Sequence, residues 1–176
     1  MKTSVILIFV TAISIILATS CSQNNVSDEQ LSPLKGKLID RSICKSLKSV
    51  RVTTDTPDSL SCIEYSFDQE SNLLTVMHIN AGFNCCPDTT FCDVTVSNDT
   101  IVIQEFENVG MCECNCLYDL TIELSGVTQK KYQIKFIEPY LGENEEINFE
   151  MDLTDQNEGS YCVTRKLYPW GMLSQN

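Results

Sequence analysis

Residues 61–80 read SCIEYSFDQESNLLTVMHIN, and the period of their apolar residues decides the fold class. Ile63, Tyr65 and Phe67 alternate with Cys62, Glu64 and Ser66. Successive side chains therefore face opposite ways, as on a half-buried strand. DQESN supplies turn chemistry, and LLTVMHIN (73–80) reads as the returning strand of a hairpin. Further out, CDVTVS (92–97) and TIVIQEF (100–106) flank a second tight turn at Asn98-Asp99. CLYDLTIEL (116–124), KYQIKFIE (131–138) and EINFEMDL (146–153) continue the series. No long segment carries a helical stripe. The expected fold is all-β, an antiparallel β-sandwich (immunoglobulin-like or similar), with full barrel closure as the alternative.

The first twenty-one residues, MKTSVILIFVTAISIILATSC, have three parts. Lys2 is a positive start, an apolar stretch runs from Val5 to Leu17, and Ala18, Thr19 and Ser20 precede Cys21. A short apolar segment with one basic flank and a small-residue cleavage site is a secretory signal rather than a membrane span. Cleavage directly before a cysteine resembles the bacterial lipobox. That resemblance makes Cys21 the mature N-terminus, carrying a diacylglyceryl thioether and an N-acyl chain. Several acyl chains, at about 0.8 kcal/mol per buried methylene, anchor a protein stably where one chain does not. The expected organisation is a signal peptide over 1–20, the lipidated cysteine and a polar, flexible tether over 21–33, and a single β-sandwich domain over 34–176.

Removing residues 1–20 takes away Lys2 alone among the 12 basic and 24 acidic side chains, so the mature chain carries a net charge of −13. Such a surface argues against nucleic acid or an anionic headgroup layer as partner, because both need positive charge.

The chain has ten cysteines. Beyond Cys21, six fall in two blocks: Cys85, Cys86 and Cys92 in NCCPDTTFC, then Cys112, Cys114 and Cys116 in CECNC. Cys44, Cys62 and Cys162 lie outside them. Secretion places all nine in an oxidising compartment, where disulfides are expected. Geometry agrees for the alternating block. On an extended strand residues i and i+2 lie about 6.6 Å apart on one face, whereas sulfurs around one zinc ion lie only about 3.8 Å from each other. Disulfides face no such difficulty, since each sulfur takes a partner from another segment. One to three bridges are expected between the two blocks, with adjacent Cys85 and Cys86 reaching separate sulfurs. Six cysteines allow fifteen connectivities, so the pairs stay unassigned, and an odd nine leaves at least one thiol over. The metal alternative is zinc or copper(I) on His78, Cys85, Cys86 and Cys92, since His78 is the sole histidine and leads toward Cys85.

HINAGFNCCPD, GMCECNCLYDL and the C-terminal YCVTRKLYPW together resemble a group of small cysteine-rich lipoproteins from Bacteroidetes. The resemblance implies an outer-membrane lipoprotein with a β-rich domain and supplies no catalytic residues. In that lineage the triplets Asp58-Ser59-Leu60 and Asp99-Thr100-Ile101 resemble O-glycosylation sites, although both also read as turn sequence.

Enzyme motifs are sparse. The seven glycines are scattered, so no phosphate-cradling loop exists, and there is no G-x-S-x-G elbow, H-E-x-x-H or C-x-x-C. A Ser-His-acid triad would depend wholly on His78, without a supporting serine context. Asp152, Asp155, Asn157 and Glu158 superficially resemble a calcium loop but read better as a solvated turn. Trp170 reads as a cap on the sandwich core. The function expected is therefore a non-enzymatic binding or structural role at the outer membrane, without a cofactor. The chain would meet the membrane through its N-terminal lipid and a protein or glycan partner through its surface. The alternative is a metal- or redox-handling lipoprotein using His78 and the clustered cysteines.

Overall fold

The computed structural model describes residues 33–45, 56–108 and 112–166, all within the compact unit Leu31–Asn176. The readings made for the signal segment, Cys21, most of the tether and Trp170 lie outside the described residues.

The described strands are β1 (Lys35–Arg41), β2 (Leu60–Asp68), β3 (Leu73–Asn84), β4 (Thr89–Ser97), β5 (Thr100–Asn108), β6 (Asn115–Ser125), β7 (Lys131–Ile137), β8 (Asn148–Asp152) and β9 (Glu158–Thr164). They form a five-stranded sheet, β1-β6-β3-β2-β9, and a four-stranded sheet, β4-β5-β7-β8. The fold is an all-β, disulfide-stapled sandwich. The opening hairpin is present, with Ile63 opposite His78, Tyr65 opposite Val76 and Phe67 opposite Leu74. Asn72 and Asn98 take the positive-φ turn positions (φ 54° and 53°), which asparagine tolerates better than most residues.

One pairing departs from the antiparallel expectation: β5 and β7 run parallel. The chain leaves the four-stranded sheet after β5, forms β6 in the other sheet, and returns as β7. Two crossings restore its direction, and a parallel neighbour always needs such a crossover connection.

The core lies between the sheets. Phe67, Leu74, Val76, Ile122 and Leu124 from one face meet Ile101, Ile103, Ile134 and Phe136 from the other, all at most 5% exposed. At Gly36 on β1 a Cβ would overlap the Val94 side chain of β4, so this is where a strand of one sheet passes close to a strand of the other.

β3 runs four residues past its expected end. Its register against β6 slips between His78 and Ala81, and Asn80 there has φ 62°. This bulge exchanges the faces: Leu74, Val76 and His78 face inward before it, and Ala81 and Phe83 pack with Cys116, Tyr118 and Leu120 after it. The polar groups freed from the ladder are satisfied. The Asn80 N–H donates to Asp119 Oδ1 at 3.0 Å, and its side-chain amide donates to the carbonyls of Pro57 and Leu60.

β1 and β9 were not anticipated from sequence. Both are edge strands of the five-stranded sheet. KGKLIDR and EGSYCVT keep most positions exposed or half-buried, and charge on an edge is how proteins blunt unwanted pairing. Their apolar alternation is correspondingly weak.

Candidate functional site

Five inward-facing rows end in polar residues at one end of the sandwich. On β2 the row through Ile63 reaches Ser61. On β3 Val76 is followed by His78, and on β5 Ile103 by Glu105. Beyond β7 the row through Phe136 reaches Glu138, and beyond β9 the row through Val163 reaches Arg165. All five polar residues are buried, Ser61 and His78 completely. Polar groups this deep are tolerable only when they answer one another.

They do so as a chain. Ser61 Oγ lies 2.8 Å from His78 Nε2, and His78 Nδ1 lies 2.7 Å from Glu105 Oε1. Glu138 Oε1 is 3.9 Å from His78 Nε2. Arg165 Nη2 donates to both Glu138 oxygens, at 2.7 and 2.6 Å, and Nη1 donates to the Glu145 carbonyl at 2.8 Å. The Phe136 ring meets the imidazole edge-on at 5.2 Å. Burial pushes His78 toward its neutral form, but the charge and hydrogen bond of Glu105, helped by Glu138, outweigh it and raise its pKa. Burial likewise raises Glu138, against the opposing pull of His78 and Arg165. Two carboxylates, one guanidinium and one imidazolium are charge-neutral together, and removing the imidazole proton leaves one negative charge buried.

Ser61, His78 and Glu105 follow the order of a nucleophile, base and orienting carboxylate. Catalysis would also need a reacting carbonyl about 3 Å from Oγ. Ser61 is 0% exposed, so no substrate reaches it in this conformation. The arrangement holds two sheets together through one buried polar layer.

The cysteines lie elsewhere. Among the described residues the bridges are Cys44–Cys116, Cys62–Cys162, Cys85–Cys114 and Cys86–Cys112, with Cα separations of 5.6, 4.0, 5.4 and 6.0 Å. Two join the NCC and CECNC blocks, with Cys85 and Cys86 taking separate sulfurs. Cys116 turns instead to Cys44, next to β1. All four stitch the five-stranded sheet: β1 to β6, β2 to β9, and the ends of β3 and β6 to each other. Cys92 has no disulfide partner among the described residues. It sits on β4 directly opposite Glu105, and burial with that nearby carboxylate pushes its thiol up to about 11.

The set His78, Cys85, Cys86 and Cys92, considered for zinc or copper, is not brought together. Both nitrogens of His78 are engaged, and Cys85 and Cys86 are bonded to other sulfurs. The thiol positions that do converge are Cys85, Cys86 and Cys112, whose sulfurs lie within 4.8 Å of one another. The acidic loop considered for calcium is a turn after β8. Asp152 accepts from the Thr154 N–H at 2.9 Å and pairs with Lys131 at 2.9 Å. The Thr154 hydroxyl, which also donates to Asp152, together with Lys131 and the Thr154 N–H holds its pKa down at about 2. Asp58, Ser59 and Asp99 are exposed turn residues.

Sequence reasoning found His78 but missed Ser61, Glu105, Glu138 and Arg165. For Glu105 a signal was available: it shares the parity of Ile101 and Ile103, so an inward carboxylate was legible. Glu138 carried the same signal, sharing the parity of Ile134 and Phe136 within the stretch 131–138, whereas Arg165 follows β9, a strand that was not anticipated.

On the outer face of the five-stranded sheet, Glu64, Ser66, Thr75, Met77, Glu158 and Ser160 line an open concavity of about 520 Å³. On the other sheet Phe91 and Phe106 stack with centroids 5.1 Å apart, and Phe91 is 41% exposed. No described helix is long and apolar enough to cross a membrane.

No protein-family model, curated protein or solved structure matches the chain.

Proposed function

We propose that this chain is a lipid-anchored lipoprotein of the bacterial outer membrane, whose β-sandwich acts non-enzymatically by binding a protein or glycan partner. The observation that carries the reading is the set of four disulfides stitching one sheet, in a chain whose N-terminal segment ends in ATSC. Disulfides in this number belong to an extracytoplasmic setting, and ATSC supplies the attachment point at Cys21. The resemblance of HINAGFNCCPD and GMCECNCLYDL to Bacteroidetes lipoproteins agrees with it. The concavity around Met77 offers hydroxyls and carboxylates to a partner bearing hydroxyls or positive charge, consistent with the net charge of −13 after loss of residues 1–20.

The test is metabolic labelling with an alkynyl fatty acid, followed by membrane fractionation. The full chain is expected to take up label and sediment with outer membranes, and Cys21→Ser is expected to lose both properties. An unlabelled, freely soluble wild-type chain overturns the reading.

A further inference from the structure

We propose that the paired bridges Cys85–Cys114 and Cys86–Cys112 form a redox-gated copper(I) site, closed when oxidised and opened by a dithiol reductant. The inference does not depend on lipidation or on a binding partner.

Accessibility separates this pair from the innermost staple. Cys44 and Cys116 are 6% and 0% exposed. Cys85, Cys86 and Cys112 are half-buried and Cys114 is exposed, so among these four sulfurs an incoming thiolate reaches Cys114 first. The donor thiolate attacks the Cys114 sulfur, forming a mixed disulfide and releasing Cys85 as a thiolate. The donor's second thiol then attacks its own sulfur in that mixed disulfide, releasing Cys114 and leaving as a disulfide. Two electrons pass to the protein. The same exchange with a second dithiol opens Cys86–Cys112.

The chain around the sulfurs is held by other bonds, so the thiols stay together after reduction. The Cys85 N–H donates to the Cys114 carbonyl at 2.9 Å. The Asn84 side-chain amide donates to the Cys112 carbonyl at 2.7 Å, while its oxygen accepts the Cys86 N–H at 3.0 Å. Tyr118 Oη donates to the Asn84 carbonyl at 3.1 Å, and the Asn84 N–H is held by Glu107. Asn84 is thus a bracket independent of the disulfides.

Three sulfurs within 4.8 Å of one another fit a trigonal ion. Metal–thiolate bonds near 2.3 Å place the sulfurs of such a site about 4 Å apart, a separation that Cys86 and Cys112 approach once their bond is broken. Copper(I) is soft and accepts two or three thiolates, which Cys85, Cys86 and Cys112 supply; a four-ligand zinc site would have to draw in Cys114 as well, whose sulfur lies outside the converging three. Binding releases the thiol protons. Asp88, Glu107 and Glu113, close in the chain to the two blocks, add negative charge that favours a cation.

The experiment uses the full chain in detergent, reduced with a phosphine, desalted without oxygen, and titrated with copper(I) against a chromophoric chelator. One copper(I) per reduced chain is expected, with none bound by the oxidised chain. Bound copper should protect Cys85, Cys86 and Cys112 from alkylation while Cys92 stays as reactive as in the metal-free reduced chain. Cys85→Ser/Cys86→Ser should abolish binding. Because that variant removes two staples, the alkylation map of the wild-type chain tests the same point without a mutation. Equal binding by the oxidised chain, protection of Cys92 in place of the cluster, or displacement of copper by equimolar zinc overturns the proposal.

Discussion

Replacing Arg165 with methionine tests whether the buried polar layer is a set of mutually dependent charges. Arg165 gives both Glu138 oxygens a donor at 2.6–2.7 Å, and the two side chains are 0% and 1% exposed. Removing one member of a buried ion pair costs about 3–5 kcal/mol, because the survivor is left charged in a poor solvent. Here His78, 3.9 Å from Glu138, still offers some compensation, which places the cost at the low end, about 3 kcal/mol. In urea, with a slope of about 2 kcal/mol per molar, the unfolding midpoint should fall by about 1.5 M with the slope unchanged. Arg165→Met/Glu138→Leu removes both charges and leaves His78 paired with Glu105. It should recover most of that loss, since apolar replacement of a whole buried pair is close to neutral. Far-UV circular dichroism during urea titration at neutral pH, with disulfides intact, reads both variants. A single variant within about 0.5 kcal/mol of wild type, the range of a surface substitution, refutes the reasoning. So does a double variant whose cost equals the sum of the two single ones.

Stability should also depend on pH through His78. Its folded pKa is raised, so its stabilisation is complete below the unfolded value of about 6.5 and is lost as pH rises through the folded value. Urea midpoints should decline on going alkaline, and Glu105→Gln should flatten that decline; an undiminished slope in the variant contradicts the assignment. Cys44→Ser/Cys116→Ser opens a loop with a sequence separation of 72 residues and should cost about 4 kcal/mol by chain entropy, read as a lower thermal midpoint. Gly36→Ala should cost about 1–3 kcal/mol, because the new methyl overlaps Val94 where β1 passes β4. A Gly36→Ala midpoint equal to wild type would show that the two strands can separate freely.

Much of the sandwich was legible because alternation is a local property. The hairpin over 61–80, the Asn98 turn and the strands near 100–106, 116–124 and 131–138 follow from parity and turn residues alone. The bulge was not legible. HINAGFN reads as a strand end at Asn80, with Gly82 close behind, and only the contest between the Asn80 φ of 62° and the β6 register decides that β3 continues with its faces exchanged. β1 and β9 escaped notice because an edge strand pairs on one side and carries charge where a central strand carries valine or isoleucine.

By itself the sequence determined the period-two architecture and turn positions, and that Cys85 and Cys86 would seek different partners. Each is a matter of neighbours along the chain: side-chain direction in a strand, or the reach of two adjacent sulfurs. Tertiary structure alone decided that Cys116 turns to Cys44, that β5 and β7 run parallel, and that the single histidine is locked between Ser61 and Glu105. Those outcomes depend on strand order, which brings together residues far apart in sequence. Ser61, His78, Glu105, Glu138 and Arg165 meet because five inward rows end at the same height, and no window of sequence contains that fact.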